Sequence, residues 1–118
     1  QNAVDIVSPD VSDVGGISEL KWIADFADLY DVLIAPHNCG LPVAFMATVH
    51  ACAAMPRNFI AFEHHAADAP GWEDFIEGVD KPLIRDGFVR VPDKPGLGIE
   101  INEKVARRFL IEGKEFFE

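Results

Sequence analysis

Three short apolar runs recur along the chain at nearly constant spacing, and each is followed within a few residues by a side chain that can accept or donate a proton. The runs are Val4-Asp5-Ile6-Val7, Val32-Leu33-Ile34-Ala35 and Phe59-Ile60-Ala61-Phe62, and the groups after them are Asp10, His37 and Glu63, 27 and 26 residues apart. Runs this short, rich in β-branched and aromatic residues, read as buried strands. A strand, its crossover helix and the next parallel strand need about 30 residues, so the spacing predicts strand–helix units building a parallel sheet. Neighbouring strands lie about 4.8 Å apart, which would line the three groups along one rim.

The intervening segments fit that plan. Ile17, Leu20, Ile23, Ala24, Ala27 and Tyr30 recur at three- and four-residue spacing, one face of a helix whose first turn holds Ser18 and Glu19. Val11 to Gly16 is turn-rich, and Gly15-Gly16 serves a tight turn better than a phosphate cradle, because the fuller glycine fingerprint is missing. Pro42 opens a second helix whose small residues Ala44, Ala47, Ala51, Ala53 and Ala54 suit close packing on a sheet, and Pro56 closes it. Residues 66 to 71 read as a loop. From Lys81 the texture changes: residues 87 to 92 alternate like an edge strand, 93 to 98 are turn material, and Asn102 caps a helix over Glu103 to Leu110 with Val105, Ala106, Phe109 and Leu110 inward. The expected organisation is therefore residues 1–80 as strand–helix units and residues 81–118 as an excursion that packs elsewhere.

Composition narrows the functional classes. With 49% hydrophobic residues and no uninterrupted apolar stretch of spanning length, a transmembrane segment is not credible. Twenty acidic against ten basic residues give a formal charge of −10, which repels nucleic acid and anionic membranes and is one way to remain soluble at high salt. The N-terminus carries neither a basic region nor a long apolar stretch, and Cys39 and Cys52 match no metal-knuckle spacing, so they read as free thiols of a cytoplasmic protein.

Three parallel strands alone expose two edges, which sheets of this type do not tolerate. Closure as an eight-stranded barrel needs roughly 250 residues, so the chain is expected to be part of something larger. In such barrels reacting groups sit at the C-terminal strand ends, where Asp10, His37 and Glu63 fall. A carboxylate holding one ring nitrogen fixes an imidazole's tautomer and raises its basicity, so Asp10 beside His37 makes a general base, with Glu63 able to bind a substrate hydroxyl or donate a proton. A plainer reading stands beside this one: Asp10 as a turn residue after Pro9, His37 as a loop residue after Pro36, and Glu63 as a solvated strand end. Of the remaining imidazoles, His50 reads as a helix residue. His64 and His65, adjacent on an extended segment, point oppositely and make a poor metal pair.

The string Ser8-Pro9-Asp10-Val11-Ser12-Asp13-Val14-Gly15-Gly16-Ile17-Ser18-Glu19, followed by Ala35-Pro36-His37-Asn38, by Asn58-Phe59-Ile60-Ala61-Phe62-Glu63 and by Pro92-Asp93-Lys94-Pro95-Gly96-Leu97-Gly98, resembles the mandelate racemase branch of the enolase superfamily. Within that branch, Ala-Pro-His-Asn and Phe-Glu-His look most like the sugar-acid dehydratases. The resemblance implies an α/β fold: the C-terminal part, about strands six to eight, of a modified TIM barrel, with residues 81–118 returning to a capping domain absent from this chain. It implies Asp10 and His37 as the base dyad, Glu63 and Asn38 as substrate contacts, and no metal ligand here, the Mg²⁺ ligands belonging to strands outside the chain. Asp5 and Asp13 then remain surface acids. The implied partners are a sugar acid, the remainder of the same enzyme and further identical copies. A racemase, epimerase or cycloisomerase would use the same dyad, a non-catalytic fragment needing a partner chain is the rival of another class, and a zinc hydrolase is disfavoured by the absence of a His-x-His pair after any strand.

Overall fold

The computed structural model describes residues 3–65 and 70–116, in two compact units, residues 1–67 and 68–118. The first unit runs β1 (Ile6–Val7), α1 (Val11–Val14), α2 (Ile17–Asp28), β2 (Leu33–Ile34), β3 (His37–Asn38), α3 (Pro42–Ala53) and β4 (Glu63–His64). β1 pairs in parallel with β2, and β3 with β4, while isolated parallel bridges join Asp10 to His37 and Ile34 to Phe59. Three extended passes thus lie side by side in parallel, as the repeat predicts.

The register explains why the repeat is only nearly regular. Between the first two passes it is constant: Ile6 opposes Leu33 and Asp10 opposes His37, both 27 residues on. Between the second and third it shifts, because Ile34 opposes Phe59 and His37 opposes Glu63, offsets of 25 and 26. The third pass spends one more residue than its neighbour over the same stretch, since Ile60 N–H donates to Ile34 O but the next donor, to Pro36 O, is Glu63 N–H. This is a bulge, a device that re-aims a side chain at a strand end.

Helix α2 buries Leu20, Ala24 and Ala27, but not the whole predicted face: Ile17 and Tyr30 are exposed, and the helix ends at Asp28. Tyr30 instead continues an aromatic row with Phe26 and Trp22, ring centroids 5.1 and 5.4 Å apart, on the outer side of the helix. Pro42 occupies the first turn of α3, and the helix stops at Ala53 before Pro56. Its interior is not an alanine stripe alone: Phe45, Met46, Thr48, Val49 and Ala51 are buried, whereas Ala53 and Ala54 are exposed. Val11, Leu20 and Ala51 share one core, with Val14, Ala44, Ala47 and Met55 packed against it. Asn58 closes the unit from the polar side: its amide donates to Ala24 O at 3.1 Å and Val32 O at 3.0 Å, tying α2 to the start of β2.

The second unit contains β5 (Ile76–Glu77), β6 (Ile84–Arg85), β7 (Phe88–Val89), β8 (Glu100–Ile101) and α4 (Glu103–Ala106), with single 3₁₀ turns at Trp72–Phe75 and Arg107–Phe109. β5 pairs antiparallel with β8, so residues 70 to 80 join this unit. The compact division consequently falls before the change of sequence texture at Lys81. β6 and β7 form a hairpin across Asp86-Gly87, both at positive φ, the conformation an Asp-Gly turn favours. The edge strand expected over 87 to 92 is the short second arm of that hairpin. Asn102 does cap the last helix, its side chain accepting from Val105 N–H at 3.2 Å. The inward stripe fails beyond Ala106, because the chain tightens into a 3₁₀ turn that leaves Phe109 and Leu110 exposed; Phe109 lies instead against Phe75. Of the loop expected at 66 to 71, residues 66 to 69 lie outside the described residues. No helix among the described residues is long and apolar enough to cross a membrane.

Candidate active site

Asp10, His37 and Glu63 stand in one row because each is the register partner of the next on adjacent parallel passes. The backbone fixes them there: His37 N–H donates to Pro9 O at 3.0 Å and Glu63 N–H to Pro36 O at 2.9 Å. Groups anchored through sheet hydrogen bonds at strand ends are held more firmly than groups on loops.

Asp10 carries two roles on two oxygens. Oδ1 accepts from Ser12 N–H at 2.8 Å, which makes Asp10 the N-cap of α1, while Oδ2 lies 3.0 Å from His37 Nδ1. The turn position of the plainer reading and the carboxylate–imidazole contact thus occur together in one residue. Asp10 is 7% exposed. Burial works to raise its pKa, yet hydrogen bonds from the Ser12 N–H, His37, the Ser12 side chain and the Cys39 N–H outweigh it and hold the carboxyl below its ordinary value. The carboxylate is therefore ionised wherever an imidazole is neutral, and it accepts a hydrogen bond from Nδ1–H. That leaves Nε2 as the lone-pair nitrogen, and a third of the His37 side chain is open to solvent.

The sign of that shift yields an expected outcome. A carboxyl whose pKa is lower folded than unfolded adds stability that is fully present above the ordinary value, about 3.9, and disappears as pH falls through the folded value. Comparing thermal midpoints of the full-length polypeptide and its Asp10→Asn variant from pH 7 downward should show a wild-type advantage that is constant near neutrality and shrinks below about pH 4. An advantage independent of pH would remove the ionised cap from the account.

Glu63 is exposed, and the Ser8 hydroxyl reaches both its Oε2, at 3.0 Å, and Ala35 O, at 2.7 Å. Ser8 lies two residues before Asp10 on the same pass, and the alternation of strand side chains was the signal that points to it. Asn38 is not brought to the row. One residue beyond His37 on the same strand, it is fully buried, and neither its amide oxygen nor its nitrogen has a hydrogen-bond partner among the described residues. His64 packs its ring edge-on against Phe45, centroids 4.8 Å apart, and burial pushes its pKa down despite a bond with the Asn38 backbone. His65 is exposed, His50 sits half-buried in α3, and Asp5 and Asp13 are surface acids. Cys52 is a half-buried thiol pushed up to about 12 by burial, whereas Cys39 is exposed beside the row.

A carboxylate-held imidazole with a further carboxyl in register is suited to removing a proton from carbon and to hydrogen-bonding the oxygen-rich substrate that bears it. The chain is similar to known proteins over most of its length. Residues 1–105 match the family of enolase C-terminal domain-like proteins. The D-xylonate dehydratase of Haloferax volcanii is 40% identical over 116 residues, covering 98% of this chain but 27% of that protein. A mandelate racemase/muconate lactonizing enzyme-like protein from Rubrobacter xylanophilus superposes with a TM-score of 0.90 at 44% identity, covering 99% of this chain and 30% of that one. An enolase from Pantoea ananatis, with bound D-gluconate and magnesium, superposes with a TM-score of 0.76 at 33% identity over 94% of this chain and 26% of its own. The chain thus spans a little over a quarter of the length of these relatives.

Proposed function

Because the chain belongs to the enolase C-terminal domain-like family, we propose that it is the base-bearing part of a sugar-acid dehydratase. The observation that carries the reading is the 3.0 Å contact between Asp10 Oδ2 and His37 Nδ1, at the ends of parallel strands and in register with Glu63. Similarity to a D-xylonate dehydratase and to a structure with bound D-gluconate supports the substrate class. On this reading the three parallel passes are strands six to eight of a modified TIM barrel, and the segment from residue 81 returns to a capping domain. The short share of the relatives' length and the placement of the row at C-terminal strand ends support that assignment.

His37 takes the proton α to the substrate carboxylate on Nε2, and Asp10 stabilises the imidazolium that forms. The electron pair of the broken C–H bond passes into an enediolate and then expels the β-hydroxyl, which leaves as water with the proton that the His37 imidazolium returns, restoring the neutral base. The resulting enol tautomerises to a 2-keto-3-deoxy acid. Glu63 hydrogen-bonds the substrate near its carboxylate. Asn38 belongs to this reading only as backbone, since its side chain is buried and its carbonyl accepts from His65 N–H.

Magnesium, present in the Pantoea structure, neutralises an enediolate when bound. The described residues do not fit it. The one group of three candidate ligands among them is Asp10, His37 and Cys39, a carboxylate, an imidazole and a thiol, whereas Mg²⁺ takes oxygen ligands in an octahedron. In this reading its ligands lie outside the chain.

Incubating the full-length polypeptide with Mg²⁺ and a panel of aldonic acids is expected to yield a 2-keto-3-deoxy product from one or a few of them. Epimerisation at C2 without loss of water would replace dehydration by racemase-type chemistry on the same dyad.

A further inference from the structure

We propose that Asp10, His37 and Cys39 form a binding site for Zn²⁺, and that its occupation switches the His37 base off. Each residue offers one ligand atom, and these atoms lie within 4.8 Å of one another. Ligand atoms at zinc's usual bond lengths, about 2.0 to 2.3 Å, stand under about 4 Å apart around a tetrahedral ion, so small side-chain rotations close the set. Residue 39 directly follows β3, whose backbone is anchored by the Asn38 carbonyl accepting from His65 N–H and by the His37 N–H donating to Pro9 O. Its thiol is exposed, which gives the ion a path from solvent.

The donor set chooses the metal. A thiolate, an imidazole nitrogen and one carboxylate oxygen suit a borderline-soft ion that accepts four-coordination, and three protein ligands leave the fourth position to water. A hard octahedral ion finds nothing comparable here. Asp10 Oδ1 remains occupied by Ser12 N–H, so the ion takes Oδ2 and inserts where Oδ2 now meets His37 Nδ1.

The proton balance follows. The Cys39 thiol gives up its proton to solvent, and Zn²⁺ replaces the proton on Nδ1. A neutral ring metallated at Nδ1 carries its proton on Nε2, so one proton is released for each ion bound and no electron is transferred. Nε2–H has no lone pair for a substrate proton. The binding half of the inference stands on the ligand geometry, while the inhibition half rests on the proposed function.

The test uses the full-length polypeptide carrying these residues. Titration with CoCl₂ in the absence of substrate should produce a thiolate-to-cobalt charge-transfer band, lost in Cys39→Ala. Zn²⁺, added against saturating Mg²⁺, should inhibit the wild type. Cys39→Ala should need roughly 100-fold more Zn²⁺ for the same fractional loss of its own Mg²⁺-supported rate, because losing even an outer partner of a ligand costs about 10- to 100-fold. No band in the wild type, or a band that survives Cys39→Ala, overturns the site. A Cys39-dependent band without Zn²⁺ inhibition overturns the switch. Since the band needs no turnover, a polypeptide inactive on every sugar acid but showing the band refutes the dehydratase reading and upholds the site.

Discussion

His37→Asn in the full-length polypeptide is expected to abolish exchange of the substrate α-proton with deuterium, and to lower the rate of product formation by at least the 10²- to 10⁴-fold that a positioned base typically contributes. Asparagine occupies similar space and can still donate to Asp10 Oδ2, which keeps the N-cap of α1 and its Ser12 contact intact. What it lacks is a basic nitrogen at the Nε2 position. The loss should therefore appear in turnover, while circular dichroism and substrate affinity stay near wild type. Proton exchange surviving at a wild-type rate would show that another residue is the base.

Phe45→Ala is expected to destabilise the protein by about 3 to 5 kcal/mol, the usual cost of removing a buried phenylalanine. Phe45 is completely buried in α3, with the Phe62 ring 5.1 Å and the His64 ring 4.8 Å from its own, centroid to centroid. These two partners flank Glu63 along the chain, so the cavity opens beneath the pass that carries it. A denaturant midpoint should fall with unchanged slope, and activity at a temperature well below unfolding should decline more than a remote core truncation of equal cost would cause. A loss below about 1 kcal/mol would mean that the site collapses onto the missing ring and that Phe45 is not a keystone of this packing.

The row of Asp10, His37 and Glu63 is legible because strand periodicity and parallel pairing are strong constraints, so equal spacing in sequence becomes adjacency in space. Proline and glycine mark helix limits for a similar reason: Pro42 and Pro56 bracket α3, and Gly15 and Gly16, both at φ +105°, make the turn into α2. Helix α1 is too short for any periodicity to reveal, and its start signal, Asp10 two residues before Ser12, is the same side chain that pairs with His37. The arms of the Asp86-Gly87 hairpin are two residues each, too short for strand alternation to mark the first of them. Burial beyond α4 depended on a helix continuing, and a 3₁₀ turn rotates Phe109 off that face. Asn38 shows a different limit. Its neighbour His37 reaches the row, and the strand's two-residue alternation sends the next side chain into the interior.

On the proposed reading, Asp10 ties proton abstraction by His37 to the melting of a single helical turn. A four-residue helix has little stability of its own, and α1 is held by the buried Val11 and by the carboxylate that caps it. When that turn frays, the carboxylate loses its Ser12 anchor and its Oδ2 swings away from His37. Local openings of this kind cost far less than global unfolding. On that reading the pairing of Asp10 with His37 depends on a four-residue helix, and heat should slow proton abstraction while the sheet behind it is still folded.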